Sequence, residues 1–186
     1  MFKPVFFEGE LIGFAIAIGH LVEIGGMVAG GFAGEATEVF HEGLRVPPVK
    51  IMKRGKDVPE VWKLMLANVR TPRTNYGDLR ALISGVDLGE RRLIDLVTKY
   101  GLATFKRTVF DLMDYAEARM RAELKAIPDG VYRFEEELED DGIEDRRFLI
   151  KVAVHINNDE VVVDFTGSSK QARGPINATL GVTWSA

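Results

Sequence analysis

Leu79 to Val131 reads LRALISGVDLGERRLIDLVTKYGLATFKRTVFDLMDYAEARMRAELKAIPDGV, and the class of the fold turns on it. Up to Tyr100 the apolar residues Leu79, Leu82, Ile83, Val86, Leu93, Ile94 and Val97 return every three or four positions, the period of a helix with one buried face. Gly101 ends that helix. A second stripe, Leu102, Phe105, Val109, Leu112, Met113, Ala116, Met120 and Leu124, runs until Pro128-Asp129-Gly130 stops it. A connection as short as Gly101 predicts that the two helices are antiparallel neighbours. From Val131 the period becomes two. Phe148, Ile150, Val152, Val154 and Ile156 alternate with other residues, Asn157-Asn158-Asp159 turns the chain, and Val161, Val163 and Phe165 alternate back, which predicts a β-hairpin. The acidic run Glu135 to Asp141 just before it reads as a solvated edge or loop. The tail from Gly167 reads as a loop of small residues.

On the N-terminal side, Pro59 suits the first turn of a helix opened by Asp57 or Val58, with Val61, Leu64, Met65 and Ala67 at helical spacing. Pro47-Pro48 imposes an extended run that ends at the turn Arg54-Gly55-Lys56. A short helix ended by Gly43 is expected within residues 35–45. The chain begins with a predicted hairpin, Pro4 to Phe7 and Leu11 to Ile18 about the turn Glu8-Gly9-Glu10. Its second strand is apolar at successive positions, so it is expected to be buried on both faces. Between hairpin and short helix lies a glycine-dense loop, Gly19 to Gly34, without lysine or arginine. The fold class is therefore α+β. A strand and glycine-loop region (1–57), a helical region with a central antiparallel pair (58–127) and a C-terminal β-hairpin region (128–186) follow one another.

The 186 residues are 46% hydrophobic and 28% charged, enough for a core that needs no staples, and there is no cysteine. That removes disulfides and thiolate chemistry and makes an intracellular, cytoplasmic setting the default. With 24 basic and 28 acidic side chains, the net charge of −4 gives no field that would gather nucleic acid or an anionic membrane, and neither is expected as a partner. The stretch Leu11 to Ile18 is far shorter than the roughly 20 residues of a membrane span, and MFKPVFFEGE turns polar too early for a signal peptide.

Any metal site must be built from His, Asp and Glu, and there are three histidines. His20 and Glu23 stand three apart at the start of the glycine loop, directly after a strand, a place from which rigid backbone delivers side chains to a cleft. An imidazole and a carboxylate together suit a divalent ion or acid–base work. A metal would need further ligands, from His41, Glu35, Glu38 or Glu42 or from another chain. The competing reading of His20 is a structural, hydrogen-bonded histidine. The run Gly25-Gly26-Met27-Val28-Ala29-Gly30-Gly31 lacks the Lys-Ser/Thr of a P-loop, and GxGxxG does not occur, so nucleotide binding by this chain is not expected. None of Ser84, Ser168, Ser169 and Ser185 lies in a nucleophile-elbow sequence.

Five blocks in order resemble the hydantoinase B/oxoprolinase family and cover nearly the whole chain. They are Gly19-His20-Leu21-Val22-Glu23-Ile24-Gly25-Gly26-Met27, then Glu42-Gly43-Leu44-Arg45-Val46-Pro47-Pro48-Val49-Lys50, Ala67-Asn68-Val69-Arg70-Thr71-Pro72 and Gly77-Asp78-Leu79-Arg80-Ala81. The last is the pair Asp164-Phe165-Thr166-Gly167-Ser168-Ser169 and Gly174-Pro175-Ile176-Asn177-Ala178. The family includes N-methylhydantoinase B, the C-terminal part of 5-oxoprolinase and the acetone carboxylase alpha-type subunit. The resemblance implies a hydrolase subunit that opens cyclic amides such as 5-oxoproline or N-methylhydantoin in an ATP-dependent, oligomeric complex. ATP would be bound by a hydantoinase A-type partner and not by this chain. It also admits a ketone carboxylase of the acetone or acetophenone type, and a non-catalytic remnant that serves only assembly.

By resemblance His20 and Glu23 are catalytic or hold a divalent metal, Mn or Zn, with His41, and Gly25 and Gly26 let the substrate approach. Two departures stand out. Leu21 replaces the second histidine of the family's His-His-Ala-Asp-Ile-Gly-Gly loop and Glu23 replaces its aspartate. Family members also run to several hundred residues, so the chain resembles an internal piece of a larger family fold. It is expected not to act alone and to associate with the remaining segments of the parent subunit.

Overall fold

Strands β1 (Phe2–Phe7) and β2 (Glu10–Ile16) pair antiparallel around a two-residue turn, Glu8-Gly9, whose residues have φ of 49° and 84°. A type I′ hairpin turn needs that left-handed backbone at both central positions, and glycine takes it without steric cost. The computed structural model describes residues Met1–Ser185. They form two compact units. One comprises Met1–Phe32 and Phe40–Leu112, the other Ala33–Val39 and the chain from Met113 onward.

In the first unit the hairpin lays one face on a long helix, α3. Val5 and Ala15 are buried there with Val86, and Ile12, Ala17, Leu93 and Ile94 pack around them. A side-chain carbon at Gly89 of the helix would come within 2.9 Å of the Ala15 methyl, so a glycine is what lets helix and strand approach. The opposite face is solvent-exposed and carries Phe2, Pro4, Phe6, Leu11, Phe14 and Ile16. The expectation that β2 is buried on both faces is thus corrected: a two-stranded ribbon with a single helix to pack on covers one side only.

The one-turn helix α1 (Val39–Glu42) precedes Gly43, and the small hairpin β3 (Met52–Lys53) and β4 (Lys56–Asp57) turns at Arg54-Gly55, as the sequence predicts. Helix α2 (Pro59–Ala67) begins with proline in its first turn, after Val58. Helix α3 (Pro72–Tyr100) also starts at a proline, and it ends at Gly101, whose N–H caps onto the Val97 carbonyl. A second core joins Trp62 of α2 to Leu79 and Ile83 of α3, with Leu21, Ile51, Met52 and Leu82 around it. The Arg80 guanidinium lies 5.0 Å from the Trp62 ring centre and 5.2 Å from that of Tyr76, and grips Asp57 through both nitrogens at 3.0 and 2.5 Å.

Helix α4 (Leu102–Leu124) departs from expectation. It buries none of its residues, and Val109, Phe110, Leu112, Met113 and Met120 are exposed. The antiparallel helical pair is therefore not formed. The face of α3 that a partner helix would occupy carries the β1–β2 hairpin and α2 instead.

In the second unit, β5 (Gly130–Leu138), β6 (Phe148–Asn157) and β7 (Glu160–Asp164) form an antiparallel sheet in that order. The predicted hairpin is its β6–β7 half. The start of the acidic run supplies the last four residues of an additional edge strand, paired with β6 along its whole length, and there Lys151 meets Glu135 at 3.1 Å and Arg147 meets Glu137 at 2.8 Å. Phe148, Ala153 and Ile156 of β6 are buried.

Asp141, at the end of the acidic run, is 1% exposed. Its Oδ1 accepts from the N–H groups of Ile143 and Glu144 and its Oδ2 from that of Gly174. Burial pushes the Asp141 carboxyl up, but the N–H groups of Glu144, Gly174, Ile143 and Arg173 outweigh it and hold the group down at about 2. The Asn177 side chain closes the neighbouring loop onto the N–H and carbonyl of Ala172. The short helix α5 (Leu180–Ser185) forms where a loop was expected, and it is exposed throughout. No helix among the described residues is long and apolar enough to cross a membrane.

Candidate functional site: a clamped glycine loop

Strand β2 ends at Ile16 and delivers the chain into the glycine loop. The loop has little regular structure but is tightly held. Residues 24–27 run antiparallel to residues 41–44: Leu44 N–H donates to the Ile24 carbonyl at 2.7 Å, Met27 N–H donates to the His41 carbonyl at 2.8 Å, and Gly25 bridges Gly43.

Glu23 is the centre of the arrangement. It is 3% exposed. Its Oε1 accepts from the Gly25 N–H and from Arg70 Nη1, each at 2.6 Å, and its Oε2 accepts from the Arg70 N–H at 2.6 Å. The Arg70 guanidinium also donates to the Gly26 carbonyl at 2.8 Å and the Val28 carbonyl at 3.3 Å. From the first turn of α3, Asn75 Nδ2 donates to the Glu23 carbonyl at 2.6 Å, while the Thr71 hydroxyl donates to Asn75 Oδ1 at 2.7 Å. The Arg70 N–H chiefly draws the Glu23 carboxyl below its ordinary range. Burial opposes the shift, and the Gly25 N–H and the Arg70 guanidinium add to it.

The other residues singled out from sequence lie around this centre in different settings. His20 is exposed and His41 is half-buried on α1. A side-chain carbon on Gly25, whose φ is 80°, would lie 2.0 Å from the Asn68 carbonyl oxygen, and one on Gly26 would lie 2.6 Å from the carbonyl oxygens of His41 and Glu42. The chain's own backbone therefore already requires glycine at both positions. Among the described residues no group of three or more histidine, aspartate or glutamate side chains is gathered as a metal shell would need. Glu23 uses three of the roughly four acceptor positions of a carboxylate, one of them on a guanidinium. The donor set of this chain does not fit a metal ion by itself.

Sequence reasoning missed Arg70 and Asn75 as partners of Glu23, although both stand next to the start of α3. The signal available was an arginine and an asparagine flanking a helix start, near a loop that has one carboxylate and no cation of its own. Asp141 was likewise hidden inside a charge run.

Comparison with known proteins places this loop in a family. The hydantoinase B/oxoprolinase family model matches residues 1–186. The beta subunit of the caprolactamase of Pseudomonas jessenii is 40% identical over 163 residues, which are 88% of this chain and 28% of that protein. The B subunit of the putative D-/L-hydantoinase of Pseudomonas sp. (strain NS671) is 34% identical over 183 residues, 95% of this chain and 31% of that one. The crystal structure of the ATP-dependent caprolactamase from Pseudomonas jessenii superposes with a TM-score of 0.90 at 37% identity, covering 99% of this chain and 32% of its own. The chain thus spans under a third of the length of each of these relatives. With a match from end to end and a shared fold, the chain belongs to the hydantoinase B/oxoprolinase family.

Proposed function

We propose that this chain is part of a subunit that hydrolyses a cyclic amide in an ATP-dependent complex, with the nucleotide held by a hydantoinase A-type partner. The observation that carries the reading is the similarity to a caprolactamase subunit across most of the chain, glycine loop included. The absence of a phosphate-binding loop from the sequence agrees with a division of labour in which a second subunit handles ATP.

In this reading His20 is the catalytic residue of the chain. It is exposed at the start of the glycine loop, and an imidazole can both donate and accept a proton, as a group that serves attacking water or a ring nitrogen must. Glu23 keeps the loop in shape, and Gly25 and Gly26 let it fold tightly enough to leave its outer edge to the substrate. No step is assigned to a metal.

The test is reconstitution. Assembled with the remaining segments of a family subunit and a hydantoinase A-type partner, the chain should support ATP turnover that depends on an added lactam, 5-oxoproline or a hydantoin, with ring opening in step. His20→Ala should lower kcat about a hundredfold, the size expected for a lost proton-transfer group. An assembled complex that turns over ATP with none of these amides would overturn the proposal, and so would ring opening by the isolated chain without ATP.

A further inference from the structure

We infer that Arg70, with Asn75, is a positioning residue that claims the Glu23 carboxylate for the glycine loop and withholds it from metal. The hydrogen bonds converge on that role. One arginine joins three successive parts of the loop, the Glu23 carboxylate, the Gly26 carbonyl and the Val28 carbonyl, while its own backbone N–H fixes the second oxygen of Glu23. Asn75 holds the backbone of the same glutamate, and the Thr71 hydroxyl orients Asn75.

The length of the Glu23 side chain has a consequence. The carboxylate folds back onto the N–H two residues ahead and reaches the N–H of Arg70, 47 positions away in sequence. A divalent cation on the same carboxylate would sit against the guanidinium, and two positive charges a few ångströms apart in a partly buried site repel strongly. Arg70 and a metal therefore compete for Glu23, and this fold gives it to Arg70. The consequence for catalysis rests on the cyclic-amide reading above. The structural claim does not, because loop order can be measured without turnover.

Hydrogen exchange of the full chain separates the two. In Arg70→Ala, amide protection across residues 19–28 should fall at least tenfold while the middle of α3 keeps its protection. Arg70→Lys, which retains the charge but not the fork of donors, should fall in between. Glu23→Gln should loosen the same amides, and titration of Mn2+ or Zn2+ into wild type and Glu23→Gln should give indistinguishable binding. In the reconstituted complex, Arg70→Ala should lower kcat more than it raises KM, with part of the loss recovered in Arg70→Lys. Unchanged protection in Arg70→Ala would overturn the inference. So would a stoichiometric metal in the wild-type chain whose affinity falls tenfold or more in Glu23→Gln. If exchange behaves as expected and no cyclic amide is turned over, the clamp stands and the functional reading fails.

Discussion

Asp141 and Glu23 are buried carboxylates that stay ionised for related reasons: backbone N–H groups aim at each where water has been excluded. The sign of the linkage follows. A carboxyl whose folded value lies near 2, below the ordinary 3.8, stabilises the fold fully above about pH 4 and loses that contribution as pH falls towards 2. Acid titration followed by near-ultraviolet circular dichroism should therefore show the C-terminal unit loosening between about pH 4 and 2. Asp141→Asn should be less stable at neutral pH and should flatten that acid limb. Neither role was legible from the sequence. The importance of position 23 was visible from its place after a strand in a glycine loop. Its partner Arg70 is remote in sequence, and no local pattern encodes a pairing that only the docking of α3 creates.

Elements announced by period and punctuation are formed as read: α2 has Pro59 in its first turn, α3 stops at Gly101, and β6 and β7 turn at Asn157 to Asp159. The failures concern what each apolar face packs on, which periodicity leaves open. The stripe of α4 looks the same whether or not a helix lies against it, whereas the acidic run, read as a solvated edge or loop, contributes to the exposed edge strand β5, whose pairing with β6 no local pattern specifies. Tight glycines set element-level tests. Gly25→Ala combines a left-handed backbone with a side-chain carbon inside the Asn68 carbonyl, and should destabilise the first unit by roughly 2–5 kcal/mol in urea unfolding. On the hairpin, Val5→Ala should cost about 2 kcal/mol because Val5 is wholly buried against α3. Phe14→Thr, on the exposed face of the same ribbon, should leave unfolding within about 0.5 kcal/mol of wild type.

Taken as a whole molecule, the chain exposes apolar residues in two broad sets, the outer hairpin face with Phe2, Phe6, Phe14 and Ile16, and α4 with Phe110, Leu112, Met113 and Met120. Exposed apolar side chains gathered in this way favour association. Light scattering should show self-association that rises with concentration, and Phe14→Thr combined with Met113→Lys should reduce it. The two compact units also make a single unfolding transition an unsafe assumption. The two tryptophans offer a way to see this. Trp62 is buried in the core of the first unit beneath the Arg80 guanidinium, and its indole N–H has no partner among the described residues, whereas Trp184 on α5 in the second unit is 82% exposed. Their emission should divide accordingly, with a blue component sheltered from acrylamide and a red component quenched at once. Loss of the sheltered component during denaturation then reports the opening of the first unit, optically and without a label.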